Sequence, residues 1–328
     1  MADTVGADPG NLPGLLDHWS ARQPDDVLFS FREQGGAGLR SFTWRSFALR
    51  TQALAAAFDE AGLKTGTCAI LAHTPGIELV AALVACMRIG ALATVAPVTT
   101  AASIAAPRLR HRIKAIASDC QPMFALGLSS QRQEWLDATD GSIAFVATDL
   151  IGALSAPGKA VTAQRPAGSA ANAPADIALL QYTSGSTSRP RGVAITHANV
   201  IANARALIDH VPVGATWLPQ FHDMGLIGHY LFPIVLGGSC HAMAAPEFLR
   251  RPESWLKLVT DHSATYSAAP PFAFEQLLRR AETAPEAFEA IDLSSLRVLM
   301  AGAEPVPPEL MQQFAARFAR YGLQPGVL

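Results

Sequence analysis

The sequence predicts an α/β protein whose sheets are mostly parallel and are flanked by helices. Half of the 328 residues are hydrophobic and only 16% are charged, which suits a large core with many buried parallel strands. From residue 77 to residue 146, short apolar runs alternate with helical patterns, as expected when helices connect parallel strands. A second stretch of the same kind runs from Asp176 to the end of the chain.

The N-terminal part of the chain contains five predicted elements. They are a short amphipathic segment at Leu12–Trp19, strands at Val27–Phe31, Arg40–Thr43 and Cys68–His73, and a helix at Trp44–Glu60. The glycine-rich turn at residues 35–38 lacks the third glycine and the following helix of a dinucleotide fingerprint. We therefore interpret this turn and the two strands around it as a hairpin.

The most apolar part of the sequence is Leu79–Ala106. Arg88 and Gly90 interrupt it, so no uninterrupted apolar run is long enough for a membrane span. We predict a buried helix at Ile77–Met87 followed by a buried strand at Ala91–Val95.

A linker-like segment separates the two α/β stretches. Residues 153–175 are rich in Ala, Gly, Pro and Ser and contain few large apolar side chains. The predicted organisation is a first lobe at residues 1–165, a loop at 166–175 and a second, incomplete lobe at 176–328.

Charge and cysteine content narrow the function classes. The net charge of −2 gives no electrostatic reason to expect nucleic acid or an anionic membrane as a partner. The four cysteines are far apart in sequence and form no C-x-x-C pair, so we expect neither a disulfide framework nor a structural zinc site. The same pattern favours a reducing cytoplasm, with the cysteines as small buried residues.

The most informative segment is the loop at Thr183–Gly192. Five hydroxyl side chains occur within six residues, and two arginines follow, so the loop offers N–H groups, hydroxyls and positive charge to a polyanion. Apolar runs at Ile177–Tyr182 and Val193–Thr196 predict strands on both sides, and Thr196 is a candidate N-cap for the next helix. A P-loop would instead open directly into a helix, and a serine hydrolase would carry a G-x-S-x-G elbow. The sequence has neither feature, so both classes of protein are disfavoured. The remaining alternative is a Ser/Thr-rich surface turn.

Tyr182–Gly192 resembles the phosphate-binding motif of the adenylate-forming superfamily, T-S-G-S-T-G-x-P-K-G, with Ser188 replacing the second glycine and Arg191 replacing the lysine. Three further segments match in the family's order: Trp217–Leu226, Ser267–Phe274 and Arg297–Val306. The string H-D-M-G-L within the first of them is most similar to the fatty acyl-AMP ligase branch. The resemblance covers roughly residues 10–328.

The resemblance implies roles for particular residues. Those implied to bind the phosphates of ATP are Thr183, Ser184, Gly185, Ser186, Thr187 and Arg191, with Thr187 also a magnesium ligand. The implied catalytic residues are His222 and Arg191, and the implied adenine site is Gly302, Ala303, Glu304 and Pro305. The implied acyl pocket is formed by Gly225, Leu226, Ala269, Pro270, Phe272 and Phe274.

Several of these residues also have purely structural interpretations. His222 is alternatively a core histidine that caps the next helix, and Phe272 and Phe274 are alternatively ordinary core aromatics. His222 and His229 are two helical turns apart, but no third ligand has suitable spacing, so we do not predict a zinc site.

By resemblance, the expected reaction activates a fatty acid with ATP and magnesium to an acyl-adenylate and pyrophosphate. The acyl group would then pass to an acyl carrier protein in polyketide, nonribosomal peptide or lipid biosynthesis. Val327–Leu328 reads as the start of a strand, and the family's later motifs do not occur in the sequence, so we expect an inactive N-terminal portion of such an enzyme. The alternatives are an acyl-CoA synthetase and a catalytically silent nucleotide- or acyl-binding module.

Overall fold

Two six-stranded sheets account for all strands of the residues that the computed structural model describes, which are 9–32, 38–152, 176–183 and 190–328. Each sheet belongs to one of two units. Unit 1 comprises Met1–Asp26 and Thr43–Asn203, and unit 2 comprises Val27–Phe42 and Ala204–Leu328.

The sheet of unit 1 has the strand order β6-β5-β3-β4-β7-β8. Its strands are β3 (Cys68–Leu71), β4 (Leu92–Val95), β5 (Phe124–Gly127), β6 (Ala144–Ala147), β7 (Ile177–Thr183) and β8 (Arg191–Thr196). All neighbours in this sheet are parallel except β7 and β8, which form an antiparallel pair. The parallel pairs agree with the predicted helix–strand alternation, because parallel strands need a crossover between them.

Most of the helices that follow a strand of unit 1 are crossovers to the next parallel strand. The longer helices are α1 (Leu12–Arg22), α2 (Trp44–Glu60), α3 (Ile77–Arg88), α4 (Pro107–Cys120), α5 (Arg132–Thr139) and α6 (His197–Leu207), which continues past Asn203. Short 3₁₀ segments lie at Ala101–Ala105, Ser129–Gln131 and Thr148–Leu150. Helix α3 is buried along nearly its whole length, because it is apolar on every face.

The sheet of unit 2 has the strand order β12-β11-β9-β10-β1-β2. Its strands are β1 (Val27–Arg32), β2 (Leu39–Thr43), β9 (Val213–Thr216), β10 (Ser239–Met243), β11 (Tyr266–Ala269) and β12 (Val298–Ala301). Its helices are α7 (Asp223–Gly225), a π-helix at Leu226–Leu231, α8 (Phe232–Leu236), α9 (Ala245–Arg250), α10 (Glu253–Asp261), α11 (Pro271–Thr283) and α12 (Pro308–Phe318), with 3₁₀ segments at Pro285–Phe288 and Ala319–Tyr321. The four pairs from β1 to β12 are parallel.

These two sheets confirm the predicted α/β class with mostly parallel strands. The segment predicted as a linker, 166–175, lies outside the described residues, as do residues 35–37 of the glycine-rich turn predicted at 35–38. The strands after the predicted linker, β7 and β8, belong to the sheet of unit 1. The boundary between unit 1 and the second part of unit 2 therefore comes after Asn203. Residues 327–328 form no strand, but the Val327 carbonyl accepts a hydrogen bond from the Leu299 N–H of β12 at 2.8 Å. No helix in the described ranges is both long and apolar enough to cross a bilayer.

Candidate active site

In unit 1, strands β7 and β8 enclose the predicted phosphate loop. Thr183, the last residue of β7, is the register partner of Arg191, the first residue of β8. The loop therefore joins two antiparallel strands, as the sequence predicted, and Arg191 is exposed at its end. Ser184, Gly185, Ser186 and Thr187 lie outside the described residues, and Thr183 is described by its backbone alone.

The strand that leads into this loop is fixed by Tyr182. Its side chain is buried, and its hydroxyl donates a hydrogen bond to the Asp119 carboxylate of α4. A Cβ atom on the opposing Gly192 would lie 3.0 Å from the tyrosine ring, so the ring crosses the partner strand at the one residue without a side chain. The predicted cap after the loop is present, since the Asn199 N–H donates to Thr196 Oγ1 at 3.1 Å.

In unit 2, three of the motif segments extend past the carboxyl ends of neighbouring strands. The strands β9, β11 and β12 are adjacent and parallel, so their carboxyl ends share one edge of the sheet. Trp217 follows β9, Pro270 follows β11 and Gly302 follows β12. The Gly302 N–H donates to the Ala269 carbonyl at 3.2 Å. Open α/β sheets bind ligands at this edge.

The segment after β9 makes a tight turn before α7. A Cβ atom on Gly225 would lie only 2.3 Å from the Pro219 carbonyl oxygen, so only glycine fits there. The His222 N–H also donates to that carbonyl, and the Leu226 N–H donates to the His222 carbonyl at 2.8 Å. The close approach of backbone to backbone explains why a glycine stands at this point of the motif.

His222 occupies the N-cap position of α7, but its side chain makes no capping hydrogen bond. The residue is exposed, and its ring lies 4.7 Å from that of Phe221. The structural interpretation as a core histidine with a capping side chain is therefore wrong.

The turn after β12 lies against the start of α7. A Cβ atom on Gly302 would lie 3.2 Å from the terminal methyl of Met224. Ala303 has a φ of +71°, in the left-handed region that residues with a side chain rarely adopt. Ala303, Glu304 and Pro305 are exposed. The structure thus brings the turn predicted for adenine next to the segment that carries His222.

The two phenylalanines predicted to line the acyl pocket lie apart. Both belong to α11, where a spacing of two residues directs side chains to different faces. Phe274 is fully buried against Trp255 and Phe314, with ring centroids 5.7 and 4.9 Å away. Phe272 is 38% exposed, and its ring centroid is 5.9 Å from that of Trp217. Of the other predicted pocket residues, Gly225, Leu226 and Ala269 are buried and Pro270 is the N-cap of α11.

The sequence did not predict the pair formed by His229 and Tyr266. Their rings stack with centroids 4.8 Å apart, and His229 Nδ1 lies 2.9 Å from the Met224 carbonyl. His229 lies in the π-helix and is fully buried, and its Nε2 has no hydrogen-bond partner among the residues that the structure describes. Burial lowers the pKa of His229 from 6.5 to about 4, so the ring is neutral. The only signal in the sequence was its spacing of two helical turns from His222.

The possible Mg²⁺ ligands of this chain are the predicted residue and any cluster of acidic, histidine and cysteine side chains in the described ranges. No group of three or more His, Cys, Asp or Glu side chains is placed there to hold a metal ion. The predicted ligand, Thr187, lies outside the described residues.

Solved structures of similar proteins share this architecture. The fatty acyl-adenylate ligase from L. pneumophila, solved in complex with acyl adenylate and pyrophosphate, is 28% identical. It superposes with a TM-score of 0.79 over 96% of this chain and 53% of its own.

Curated relatives agree with this likeness. The medium-chain-fatty-acid–[acyl-carrier-protein] ligase JamA of Moorena producens (strain JHB) is 30% identical over 95% of this chain and 52% of its own length. The long-chain-fatty-acid–AMP ligase FadD26 of Mycobacterium marinum (strain ATCC BAA-535 / M) is 30% identical over 97% of this chain and 55% of its own length. The chain thus spans about half the length of these relatives.

The family profile described as AMP-binding enzyme matches residues 16–325. This match covers nearly the whole chain and includes all four motif segments, which confirms the resemblance to the adenylate-forming superfamily. The chain belongs to the AMP-binding enzyme family.

Proposed function

We propose that this chain binds ATP and a fatty acid as part of a fatty acyl-AMP ligase. The reaction joins the fatty acid carboxylate to the α-phosphorus of ATP and releases pyrophosphate. The observation that carries the proposal is the meeting of Ala269, Met224 and Gly302 at one carboxyl edge of a parallel sheet. The names of the relatives JamA and FadD26 support the choice of a fatty acid as the substrate.

Arg191 is the residue of unit 1 that we assign to the β- and γ-phosphates of ATP. It is exposed at the end of the loop, opposite Thr183, so its guanidinium is available to an anion. Thr183, Ser184, Gly185, Ser186 and Thr187 would add N–H and hydroxyl donors. Together these groups would hold pyrophosphate as it leaves, because charge that moves onto an oxygen is stabilised by donors already in place.

In unit 2 we assign the adenine to the exposed turn Gly302–Pro305 and the reacting carboxylate to His222. The turn presents peptide planes on which a flat base can stack, and His222 is exposed and makes no side-chain capping hydrogen bond. Gly225, Leu226, Ala269, Pro270 and Phe272 would line the acyl site. Phe274 would support it from the core, because its side chain is fully buried.

Magnesium would accompany ATP, since this hard cation binds phosphate oxygens and hydroxyls and retains several waters. Thr187 is the residue that we expect to contact it. An acyl carrier protein is the proposed acceptor of the acyl group, and the cytoplasm is the proposed compartment. The name of JamA, which includes an acyl carrier protein, supports this acceptor over coenzyme A.

Ligand binding by the 328-residue chain tests the proposal without requiring turnover. Isothermal titration calorimetry would compare ATP, a fatty acid and an acyl-adenylate analogue in which a sulfamate replaces the phosphate. We expect the analogue to bind at least about tenfold more tightly than either ATP or the fatty acid, because it occupies both sites at once. No binding of the analogue would contradict the proposal.

A variant separates the role of Arg191 from general binding. Arg191→Ala should weaken ATP about tenfold through the lost contact to the outer phosphates. It should leave the analogue, which lacks those phosphates, nearly unchanged. Arg279→Ala is the control, because this exposed arginine pairs only with Glu275 on its own helix among the contacts described. Equal losses for ATP and analogue would refute the assignment of Arg191.

A further inference from the structure

Three aromatic side chains meet at the carboxyl edge of the unit 2 sheet. The strands β11, β9 and β10 are neighbours in this sheet and run parallel, so their carboxyl ends share one edge. Phe272, Trp217 and Phe248 follow these three strands in the same order, shortly after each strand ends. One aromatic residue from each strand end therefore contributes to a single group, which we call the edge cluster.

The rings of the edge cluster contact one another closely. Those of Trp217 and Phe248 are stacked, with centroids 3.9 Å apart and an interplanar angle of 6°. The Phe272 ring is steeply inclined to both, and its centroid lies 5.9 Å from that of Trp217 and 6.4 Å from that of Phe248. Edge-to-face packing of this kind is favourable, because the positive edge of one ring meets the negative face of another. Two rings thus hold Phe272 in place from the core side.

Phe272 is the member of the edge cluster that solvent reaches. Trp217 and Phe248 are buried, whereas Phe272 is 38% exposed. Among the phenylalanines, tryptophans and tyrosines of the chain, all of which lie within the described ranges, Phe272 is the only one that is exposed. An aromatic ring left in water loses the free energy that its burial would gain. A ligand that covers this ring would recover part of that free energy.

The edge cluster lies close to the groups proposed to hold the reacting carboxylate. Trp217 begins the segment that carries His222. Phe272 comes shortly after Ala269, whose carbonyl accepts the Gly302 N–H at 3.2 Å. Because neighbouring strands are only about 4.8 Å apart, the ends of β9 and β11 are close together. An acid whose carboxylate is held there would place its first carbons, and not the far end of its chain, against Phe272.

An aromatic surface distinguishes a planar acyl group from a saturated one. Both kinds of group gain from the removal of apolar area from water. A planar conjugated group also has a negative face and a positive edge, so it can stack on an aromatic ring or meet it edge to face. Its double bonds do not rotate, so it loses less conformational entropy on binding than a saturated chain. Both effects favour the conjugated group.

On the basis of the proposed function, we propose that the substrate is a fatty acid whose double bonds are conjugated with its carboxyl group, and that Phe272 selects it. The planar first carbons of the acid lie against the exposed ring of Phe272. Trp217 and Phe248 fix the orientation of that ring from behind. A saturated acid of the same length still enters the site, but it lacks the contact between two π systems.

The experiment measures the binding of three acyl-adenylate analogues to the 328-residue chain by calorimetry. In each analogue a sulfamate replaces the phosphate, and the acyl groups have the same number of carbons. They derive from sorbic acid, which has two conjugated double bonds next to the carboxyl group, from hexanoic acid, and from the hexenoic acid with its double bond at the far end. We expect the sorbic analogue to bind about three- to tenfold more tightly than the other two.

Three variants assign the preference to Phe272. Phe272→Leu keeps an apolar side chain but removes the π system, so the variant should bind all three analogues with similar affinity. Phe272→Tyr keeps the ring and should retain the preference for the sorbic analogue. Tyr321→Leu is the control, because this partly exposed aromatic residue of unit 2 packs on Phe288 and Phe318. It should bind each analogue as the wild type does.

The results separate this proposal from the proposed function. Equal affinities of the wild type for the sorbic and hexanoic analogues would overturn the role of Phe272 and leave the ligase function standing. An undiminished preference in Phe272→Leu would do the same. No binding of any analogue by the wild type would overturn both. Circular dichroism of each variant establishes that the fold is retained, so a lost preference cannot be attributed to unfolding.

Discussion

The two regions that carry the family motifs differ in burial. In unit 1, the first four residues of β8, from Arg191 to Ala194, are exposed. In unit 2, the segment from Gly225 to Val235 is buried except for Ile227. The first region presents donors and charge to solvent, whereas the second packs apolar side chains and closely approaching backbone into a core.

This difference matches the chemistry that each region is proposed to perform. A polyanion such as ATP needs exposed N–H groups and cations, and these tolerate small movements of the strands that carry them. An acyl chain needs a shaped apolar environment, and packed interiors respond to changes of a single methyl group. Substitutions should therefore cost far more stability in the Gly225–Val235 segment than in β8.

The largest effect is expected from Gly225→Ala. The added Cβ would lie 2.3 Å from the Pro219 carbonyl oxygen, so the backbone of the turn must move. We expect a loss of about 4 kcal/mol in the free energy of unfolding, measured by urea denaturation.

Gly302→Ala is the control for this substitution. Its Cβ would meet only the flexible end of Met224, at 3.2 Å, so we expect a loss of less than about 1 kcal/mol. Similar losses for the two variants would show that backbone contact does not set the difference between the regions.

The second-largest effect is expected in the dependence of stability on pH, and it comes from His229. His229 has a folded-state pKa of about 4, below its ordinary value of 6.5, because burial disfavours the charged ring. Its contribution to stability is complete above pH 6.5 and is lost as the pH falls towards 4, since the unfolded chain takes up the proton first. The shift corresponds to roughly 3 kcal/mol at most.

His229→Phe should remove the part of the loss in free energy of unfolding at low pH that comes from this histidine. His73, His197 and His241 also have lowered pKa values through burial, so the variant should retain a shallower slope. Free energies of unfolding measured between pH 4 and pH 7 check this. Parallel curves for wild type and variant would contradict the assignment.

The smallest effect is expected in unit 1, from Tyr182→Phe. The substitution removes the hydroxyl that donates to Asp119 and leaves the ring against Gly192. Asp119 is exposed, so water can replace the lost donor, and we expect a loss of about 1 kcal/mol in urea denaturation. A loss as large as that of Gly225→Ala would remove the contrast between the two regions.

Local patterns were sufficient to predict the elements around the phosphate loop. Strands β7 and β8 and the cap at Thr196 were all predicted, because strand patterns and caps depend on residues only a few positions apart. The strand predicted at the position of β8 lacked the first two, exposed residues of the observed strand. Charged Arg191 and glycine carry no strand signal of their own, and the pairing with β7 extends the strand to them.

The candidate site was predicted less completely. The motif segments were found by resemblance, but the different positions of Phe272 and Phe274 depend on α11 beginning at Pro271, which makes their spacing helical. Apolar runs of this length do not distinguish a strand from a buried helix. The spacing of His229 from His222 did not reveal its contact with Tyr266, because that contact joins residues of two separate elements.

The sequence by itself determined the α/β class, the strand–loop–strand arrangement at residues 177–196 and the family, because short-range periodicity and motif order carry these features. The tertiary structure alone decided which distant residues meet: Met224 with Gly302, and His229 with Tyr266. These contacts depend on strand order and on the packing of helices against the sheets. Both arise from the burial of apolar surface by the whole chain, which no local pattern specifies.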